Sequence, residues 1–542
     1  MREKVWRLKT KSYDRQNKDW LKILLAKNRG LDTPKKLSDF LNPTLDQITQ
    51  VNLSNISKGV DRVEEAISKK QKIIVYSDYD ADGITAAAIL WETLYDLGAD
   101  VMPYVPHRIK EGYGLAVPAI EELAKNGVNL IITVDHGVTA TKQVDRANEL
   151  GIDIVITDHH VLPEKLPKAY AMVHTTEICG AGVSWRFCYE IVSKLKPNYL
   201  PTLLEKLELA AIATVADLVP LTGANRAIVK IGLSYLQNTK RPGLKSLIRN
   251  SNINGSIGTY EIGHIIAPRL NAMGRIEHGM DSLRLICAKS SSQAEKLSSL
   301  LTRTNTKRQD LTTGAVETAL EMVDSDQLVG ILTNDLWHEG VIGLVASRLV
   351  ETHHRPMIAI SKGEVYSKGS ARSIQGFNIV EAIRNSSEFL VDAGGHPMAA
   401  GFTIETRHIE AFSKKINIYA QTIITEQILT PTVDIECELK SEDINKNILN
   451  QISIFEPFGM ANPEPIFLTK NMFVEDVSTV GARSQHLKLH IGAQSAIAFR
   501  QGNLKAQLRP GYSVNIVYTI AEDNYNGREK IQLIIKDLKI NN

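Results

Sequence analysis

A repeating pattern between residues 72 and 160 constrains the fold more than any other feature of this chain. Short runs rich in β-branched residues alternate there with segments of helical spacing. The runs predict strands at 72–77, 101–105, 129–134 and 153–157, and the segments between them predict helices at 84–97, 117–125 and 141–150. Such alternation is typical of βαβ units, so we expect an α/β fold with a mostly parallel sheet and helices on both faces.

Acidic and imidazole side chains follow three of these predicted strands. In chain order they are Asp78, Asp80, Asp82, Asp135, Asp158, His159 and His160. The carboxyl ends of parallel strands meet at one edge of a sheet, so we expect these side chains to lie close together. Carboxylates and imidazoles gathered in this way hold metal ions, and two-metal sites hydrolyse phosphate esters. The pattern therefore predicts metal-dependent cleavage of phosphodiesters.

Two simpler interpretations of the first acidic cluster explain less. Residues 78–83 match the opening of an EF-hand calcium loop, but the twelfth position, which needs a bidentate Glu, is Ile89. A predicted strand also stands where an EF-hand has a helix. An acidic N-cap for the next helix explains one Asp of the three. Asp217, at the end of an apolar helical run, by itself fits a helix terminus better than a ligand.

The rest of the chain contains three segments with different sequence patterns. Residues 184–300 have mostly helical spacing, and 288–324 form a long polar helical stretch without Pro. A second α/β unit follows, with predicted strands at 328–333, 357–361 and 364–370 and helices at 341–350 and 379–384. After residue 428, short alternating runs separated by turn signals, among them 466–468 and 472–480, predict a small β-barrel or sandwich.

Composition limits the remaining possibilities. At 542 residues the chain exceeds one hydrophobic core, and its net charge of +2 means that nucleic-acid contacts need local patches. Residues 1–30 carry ten Lys/Arg against three Asp/Glu, although a solvated segment is the simpler interpretation. There is no signal-peptide pattern and no run of about 18 apolar residues. Because the four cysteines are widely spaced, we expect free thiols and a cytoplasmic location.

Together these motifs resemble the DHH phosphoesterase superfamily, and most closely its RecJ-type single-strand-specific exonucleases. The resemblance covers nearly the whole chain. It is carried by nine segments in the family's order: residues 78–83, 104–108 running into 111–115, 134–137, 158–160, 214–218, 268–275, 337–343, 369–373 and 394–401. One such motif alone would be moderate evidence, whereas nine in this order are highly specific.

The resemblance implies two divalent metal ions, Mn²⁺ or alternatively Mg²⁺. One ion would be held by Asp80 and Asp135, with Asp78 nearby. The second would be held by Asp82, Asp135, His159 and Asp217, so that Asp135 bridges the two. His160 would lie beside the scissile phosphate. The expected catalytic residues are Asp80, Asp82, Asp135, His159 and His160.

The resemblance also implies residues that contact the DNA. Arg108, Ser370 and Arg372 would bind the terminal 5′-phosphate, with His396 lining the cleft. For this role the strand is expected to end at residue 368, before Gly369, so that Ser370 and Arg372 lie on a loop, although the strand pattern itself runs to 370. Arg269 and Arg275 would contact the DNA backbone, although salt bridges between lobes explain these two arginines equally well. A basic and aromatic face of the C-terminal domain is expected to bind single strands, with candidates Arg483, Lys488, Arg500, Lys505 and Tyr525.

The implied architecture is a two-lobed α/β DHH core, in which a parallel-sheet lobe and a DHH-associated lobe are joined by a long helix, followed by an OB-fold β-barrel. The expected boundaries are an N-terminal segment at 1–45 packing on the first lobe, the DHH catalytic domain at 46–287, a connecting helix at 288–325, the DHH-associated domain at 326–427 and the OB-fold at 428–542.

The implied activity is 5′→3′ hydrolysis of single-stranded DNA to 5′-mononucleotides, in DNA repair or recombination. A monomer is expected, with a single-strand-binding protein or a helicase as candidate partners. Two alternatives stay open. A DHH phosphodiesterase for oligoribonucleotides or cyclic dinucleotides would lack the β-rich segment after residue 428. A non-catalytic DNA-binding DHH scaffold would have lost the acids that this chain retains.

Overall fold

The computed structural model describes residues 3–541 apart from residues 109, 113, 325 and 524–529. Tyr525, one of the predicted DNA-binding residues, lies outside the described residues. The described residues form an α/β lobe, a second α/β lobe and a β-barrel, with the long helix α16 (Ser291–Met322) between the two lobes. No helix in this part of the chain is long and apolar enough to cross a membrane.

The N-terminal segment packs mainly on the C-terminal barrel, which differs from the prediction that it packs on the first lobe. Its elements are β1 (Val5–Leu8), α1 (Trp20–Asn28) and α2 (Pro34–Leu41). The next helix, α3 (Asp46–Thr49), packs in the core of the first lobe through Ile48. β1 pairs with residues 432–435, and the apolar face of α1 lies in the barrel core. Three basic side chains pair with barrel acids: Arg7 with Asp434, Lys9 with Glu436 and Arg15 with Asp443. Part of the basic charge of this segment is therefore neutralised by acidic residues of the barrel.

The first lobe is built on a five-stranded parallel sheet with strand order β3-β2-β4-β5-β6. Its elements are α4 (Ile56–Ser68), β2 (Lys72–Ser77), α5 (Ala81–Asp96), β3 (Asp100–Tyr104), α6 (Val117–Lys125), β4 (Val128–Val134), α7 (Thr141–Glu149), β5 (Asp153–Asp158) and β6 (Ala171–His174). The predicted strands and helices are all present. β6 was not predicted, because four residues give too short a pattern to stand out from a loop.

A helical layer completes this lobe and covers one face of the sheet. It contains α8 (Gly180–Leu195), α9 (Leu200–Glu205), α10 (Leu207–Ala216), α11 (Gly223–Gln237), α12 (Pro242–Asn250), α13 (Thr259–Glu261), a π-helical turn (Ile262–Ile266), α14 (Ala267–Ile276) and α15 (Met280–Ile286). Arg241, just before α12, donates to both carboxylate oxygens of Glu92 on α5 at 2.8 and 2.9 Å and to Glu208 on α10 at 2.8 Å. This buried clamp ties together two helices whose opposite ends reach the sheet edge where the acids gather.

The second lobe is a mixed five-stranded sheet with strand order β10-β11-β9-β8-β7. It follows α16 (Ser291–Met322) and contains β7 (Gly330–Asn334), α17 (Ile342–His353), β8 (Met357–Ser361), β9 (Tyr366–Arg372), α18 (Ile379–Arg384), β10 (Leu390–His396), β11 (Ala399–Glu405) and α19 (Ile409–Gln421). The prediction that Ser370 and Arg372 lie on a loop was wrong. β9 extends through both because β8 and β11 pair with it as far as Arg372.

The C-terminal domain is a closed barrel. It contains β12 (Thr432–Ile435), β13 (Cys437–Glu438), α20 (Lys446–Ser453), β14 (Phe467–Val480), β15 (His486–Ile491), β16 (Gln494–Ala498), β17 (Ser513–Asp523) and β18 (Lys530–Ile540). The strand order is β13-β14-β15-β16-β18-β17, and the additional pairing of β14 with β17 closes the ring. Two predicted runs at 466–468 and 472–480 belong to the single long strand β14, whose pairing shifts at a bulge between Thr469 and Met472.

Candidate active site

The acids predicted from the sequence meet at the carboxyl edge of the first sheet. Asp78 follows β2 directly, and Asp80 is the N-cap of α5, where its carboxylate accepts a hydrogen bond from the Gly83 backbone N–H at 3.0 Å. Asp135 follows β4 with φ of +67°, a left-handed conformation that is uncommon for residues other than glycine. Its backbone N–H is fixed by the carbonyl of Thr157 on β5 at 3.0 Å. Backbone strain at this position is consistent with a functional site.

Asp82 is held by the N-terminus of α8. The backbone N–H groups of Gly180 and Ala181 donate to its two carboxylate oxygens at 2.7 and 2.6 Å. The helix dipole favours a negative charge at this position. Gly180 also lets α8 approach Asp135, because a Cβ at this position would lie 2.6 Å from both Cβ and Oδ1 of Asp135. The start of α8 therefore positions two carboxylates at once.

His159 lies among three of the carboxylates. Its Nε2 is 3.1 Å from Oδ1 of Asp135 and 3.7 Å from both Oδ2 of Asp82 and Oδ2 of Asp217. Asp217 reaches this point because it is the C-terminal cap of α10. Burial, followed by the nearby charge of His160, lowers the pKa of His159 to about 4, so the imidazole is neutral and able to act as a metal ligand at neutral pH.

The carboxylates repel one another strongly. Burial, followed by neighbouring acids, raises the pKa of Asp82 to about 7 and that of Asp217 to about 8. The same two causes raise the pKa values of Asp78 and Asp135 well above the ordinary range. Four acids that destabilise one another's charge need a cation beside them to stay ionised together at neutral pH.

The donor atoms fit divalent metal ions. Three groups each have ligand atoms within 4.8 Å of one another: Asp78 with Asp80 and Asp135, Asp82 with His159 and Asp217, and Asp135 with His159 and His160. Oδ1 of Asp135 is buried and has no hydrogen-bond partner among the described residues. A buried carboxylate oxygen left in this state is costly unless a cation binds it. Oxygen donors with one imidazole suit Mn²⁺ or Mg²⁺.

Asp158 orients His160 and belongs to none of these donor groups. Its Oδ1 accepts from Nδ1 of His160 at 2.7 Å and from the backbone N–H of His159, also at 2.7 Å. Its Oδ2 accepts from the backbone N–H of Val138 at 3.0 Å. Burial alone would raise the pKa of Asp158, but these hydrogen bonds and the imidazole charge lower it well below the ordinary value. Burial opposes charge on His160 as well, yet the contact with Asp158 raises its pKa to about 9.

The second lobe presents an arginine and a serine toward this site from β9. Ser370 and Arg372 lie two residues apart on the strand and therefore share a face. Nη1 of Arg372 donates to Oγ of Ser370 at 3.1 Å. A Cβ at Gly343, in the first turn of α17, would lie 3.0 Å from both side chains, so the glycine lets the helix pack against them. A helix N-terminus beside an arginine and a hydroxyl is suited to an anion.

Two further arginines join this group from the first lobe. Arg108 lies over the ring of Tyr79, with Cζ 5.2 Å from the ring centroid. Burial, followed by the charges of Arg108, Arg308 and Arg372, lowers the pKa of Arg275 to about 10. Within the described part of the chain, no ion pair is formed by Arg108, Arg275, Arg308 or Arg372. We call Arg108, Arg275, Ser370 and Arg372 the arginine pocket; its concentrated positive charge fits a phosphate.

The remaining predicted residues occupy different positions. His396 ends β10, and its ring lies parallel to that of His160, 6.1 Å between centroids and 9° between planes, so the two lobes face each other at the site. Nη1 of Arg269 donates to the carbonyl of Ile265 at 2.7 Å, and its buried Nε has no partner among the described residues. Arg275 contacts the second lobe through the carbonyl of Gly340 at 3.3 Å. The structure therefore places Arg275 with the arginine pocket and provides no salt bridge for either residue in the chain it describes.

Three residues of the site were missed by sequence reasoning. Gly180 positions Asp82 and Asp135. Asn271 accepts from the backbone N–H of Ala81 at 2.7 Å and so supports the loop between Asp80 and Asp82. Arg308, on α16, lies near the arginine pocket, since its charge helps to lower the pKa of Arg275. Asn271 lies within the motif at 268–275, but no local pattern distinguishes Gly180 or Arg308 from other residues of their helices.

Comparison with known proteins agrees with this geometry. Three family models match: the DHH family N-terminal domain at residues 72–214, the DHHA1 domain at 326–422 and the RecJ OB domain at 435–537. The single-stranded-DNA-specific exonuclease RecJ of Bacillus subtilis is 37% identical, over 95% of this chain and 67% of the relative. The corresponding Haemophilus influenzae protein is 31% identical over 92% of both chains.

Solved structures give the same result. The crystal structure of Thermus thermophilus RecJ in complex with Mn²⁺ has a TM-score of 0.86 at 28% identity, over 99% of this chain and 79% of that one. A second structure, of an exonuclease RecJ bound to manganese, has a TM-score of 0.61 at 34% identity and covers 69% of this chain and 96% of that one. With its metal-ligand cluster, arginine pocket and barrel in one chain, the protein belongs to the RecJ family of single-stranded-DNA-specific exonucleases.

Proposed function

We propose that this protein hydrolyses single-stranded DNA from the 5′ end, releases 5′-mononucleotides and acts in DNA repair or recombination. The observation that carries the proposal is the pairing of two sites across one cleft. A cluster of carboxylates and imidazoles on the first lobe faces an arginine pocket to which both lobes contribute. The first can cleave a phosphodiester, and the second can hold a terminal phosphate.

We propose that two divalent ions, Mn²⁺ or Mg²⁺, bind the carboxylate cluster. Asp80 and Asp135, with Asp78, would hold one, and Asp82, Asp135, His159 and Asp217 would hold the other. Such ions polarise phosphoryl oxygens and lower the pKa of water. The grouping is supported by the donor sets, in which the aspartates at 78, 80 and 135 form one group and Asp82 and Asp217 join His159 in another.

His160 is proposed to contact the scissile phosphate. Its Nδ1 is occupied by Asp158, so Nε2 is the atom available to a substrate. Its carbonyl accepts from Nε2 of His174 at 2.7 Å, which fixes the backbone as well as the ring. The parallel ring of His396 approaches from the other lobe. An imidazole restrained on two sides is prepared to donate a hydrogen bond to a phosphoryl oxygen without further ordering.

Polarity is proposed to reside in the arginine pocket. Metal ligands alone do not distinguish the two ends of a strand, whereas a pocket for a terminal 5′-phosphate does. Arg108, Ser370 and Arg372 would make charge-assisted hydrogen bonds to that phosphate, and Arg275 would add positive charge. Arg269 is proposed to contact the backbone farther along the strand.

The barrel is proposed to hold the part of the strand that lies 3′ of the scissile phosphodiester, before it enters the cleft. Lys488 is exposed on β15, and Arg483, Arg500 and Lys505 are exposed in the adjoining loops and turn. Phe499 is 52% exposed and makes an edge contact with His486, which provides an aromatic surface beside these cations. OB-type barrels bind single strands through this combination of charge and stacking. A small-substrate phosphodiesterase would have no use for such a domain.

The remaining parts of the proposal concern organisation. We propose domain boundaries near residues 45, 287, 325 and 427, and a monomer that acts with a single-strand-binding protein or a helicase. All four cysteines are free thiols, which suits a reducing compartment such as the cytoplasm.

The test uses purified protein and Mn²⁺ with 5′- and 3′-labelled single-stranded and duplex DNA. Mononucleotides released first from the 5′ end of single strands are expected. Wild type should prefer a 5′-phosphate over a 5′-hydroxyl, and Arg372→Ala should lose that preference together with about 100-fold of rate, because a charge-assisted contact worth about 2.7 kcal/mol is removed.

The matched control is Arg407→Ala, since the Arg407 side chain is 78% exposed and paired only with its neighbour Glu405 in the described structure. This control should behave as wild type. An undiminished preference for the 5′-phosphate in Arg372→Ala would disprove the assignment of the pocket. Cleavage restricted to dinucleotides, or binding without cleavage, would instead favour the two alternative functions.

A further inference from the structure

A cleft lies between the first lobe and the barrel. Its volume is about 470 Å³, within the range of small-molecule sites. One wall is the segment after α10, with Leu218; the second is α13 and the π-helical turn, with Tyr260 and His264; the third is the barrel loop, with Met460. We call this cleft the interdomain pocket.

The interdomain pocket lies next to the metal-ligand cluster. Ala216 and Leu218 line it, and the residue between them is the proposed ligand Asp217. Asn271 also lines it and supports the loop between Asp80 and Asp82 through the Ala81 backbone N–H. The pocket therefore lies immediately beside the ligands, on the side toward the barrel.

Apolar side chains are unusually exposed here. Leu218 is 65% exposed, Tyr260 62% and Met460 50%. Leu218 has φ of +57°, a left-handed conformation that is rarely adopted by a bulky residue. Neighbouring exposed apolar groups with strained backbone between two domains indicate a binding site. The π-helical turn in the same wall is a second irregularity of the kind that is frequent at functional sites.

The walls of the interdomain pocket are held in place by contacts within the protein. Tyr260 is stacked on His264, with ring centroids 4.4 Å apart and 18° between planes. The tyrosine is therefore supported on one face while most of the residue remains exposed. Two interdomain hydrogen bonds fix the walls: the Leu221 N–H donates to the Met460 carbonyl at 2.8 Å, and Oγ1 of Thr259 donates to the Phe458 carbonyl at 2.7 Å.

We propose that the interdomain pocket binds a nucleobase of the single strand, stacked on Tyr260 and packed against Leu218 and Met460. The inference rests on the proposed function and adds a base subsite to it. Apolar walls and a supported aromatic ring fit the flat apolar face of a base, and they offer little to a phosphate. Because every base has such a face, the subsite tolerates any sequence, as an exonuclease requires.

The position of the subsite gives it a purpose. A strand running from the barrel to the metal-ligand cluster passes the gap between the two domains. Holding one base there would fix how far the strand has entered and place the next phosphodiester at the ligands. Tyr260 is in this sense a positioning residue: it contacts the substrate but not the reacting phosphate.

The experiment is a scan with single abasic nucleotides in a 5′-phosphorylated single-stranded oligomer, using the full chain and Mn²⁺. In wild type, one position of the abasic nucleotide should raise KM about ten-fold at the first cleavage. Tyr260→Ala should raise KM about ten-fold on the intact oligomer and show no further loss at that position. Tyr260→Phe should behave as wild type, since stacking needs the ring and not the hydroxyl.

The matched control is Tyr95→Ala. Tyr95 is 64% exposed, close to the value for Tyr260, but it lies at the end of α5 opposite Asp82. This control should keep the wild-type scan. Equal abasic losses in wild type and Tyr260→Ala at every position would overturn the proposal, as would a Tyr260→Ala variant with unchanged KM. If wild type fails to degrade single strands, the proposed function itself is wrong, so the two failures are distinguishable.

Discussion

Replacing Gly180 by Ala tests how closely α8 controls the metal ligands. Gly180 is the first residue of α8 and has no left-handed conformation, so alanine is compatible with its backbone. The added methyl would lie 2.6 Å from both Cβ and Oδ1 of Asp135. Carbon atoms pack at about 3.5–4.0 Å, so Asp135 or the start of α8 must shift by about 1 Å. Because Asp82 is bound to the same helix start, it would move with it.

The expected cost falls on catalysis more than on folding. A displacement of about 1 Å at a reacting centre lowers kcat about 100-fold, which corresponds to about 2.7 kcal/mol in the transition state. Overpacking destabilises by about 1–3 kcal/mol, and alanine recovers up to about 1 kcal/mol through its helix propensity. The variant should therefore fold, bind single strands and bind Mn²⁺ more weakly than wild type.

The assay is single-turnover cleavage of a 5′-labelled single strand at saturating Mn²⁺, together with Mn²⁺ titration and circular dichroism. Gly314→Ala is the matched control, because a Cβ on Gly314 in α16 meets nothing within 4 Å. It should cleave as wild type. A Gly180→Ala variant with wild-type kcat and Mn²⁺ affinity would refute the argument that α8 and Asp135 are too close to accommodate a further methyl group.

Two further predictions concern stability. Arg241→Ala should lower the free energy of unfolding of the first lobe by about 3 kcal/mol in urea titration, because buried Glu208 loses its ion pair and buried Glu92 keeps only Lys206, at 3.4 Å. The exposed Lys240→Ala next to it should change less than about 0.5 kcal/mol, and equal effects would mean that the clamp contributes nothing. Mn²⁺ should raise the unfolding temperature more at pH 8 than at pH 6. Because the pKa values of Asp82 (about 7) and Asp217 (about 8) are raised from 3.8, these two carboxyls bind more protons in the metal-free folded protein than in the unfolded chain between pH 3.8 and about 8. Their contribution to stability therefore falls as pH rises through that range. Because ions bind the deprotonated ligands, their stabilisation grows over the same range, and a pH-independent shift would contradict the ligand assignment.

The sheet edge could be predicted from the sequence because its information is local. The strands β2, β4 and β5 of the first lobe are buried on both faces, so each appears as a short apolar run with an abrupt end. The run at 72–77 coincides with β2. The acid after each run is then placed by topology, since parallel strands share one edge. That reasoning required no knowledge of distances, and it brought Asp78, Asp135 and His159 to one place.

Other contacts could not be predicted because they join distant segments without a local pattern. β1 pairs with residues more than 400 positions away, with Arg7 and Asp434 separated by 427 in sequence. The basic residues of the N-terminal segment look the same in sequence whether they face solvent, DNA or a barrel acid. Similarly, Ser370 was placed on a loop because β9 extends to Arg372 only through its pairing with β8 and β11. The residues of β9 themselves give no sign of that pairing.

Two glycines and one asparagine show why the ligands of the site could be predicted from the sequence, whereas the geometry of the site could not. Acids and histidines mark a metal site by their chemistry, but the residues that set its geometry act by being small or by donating one hydrogen bond. Gly180 lets α8 reach Asp135, Gly343 lets α17 reach Arg372, and Asn271 supports the loop beside Asp82. Each contact joins elements far apart in the chain. The ligands of such a site can therefore be predicted from their strand ends, whereas their separation depends on packing that only the folded chain contains.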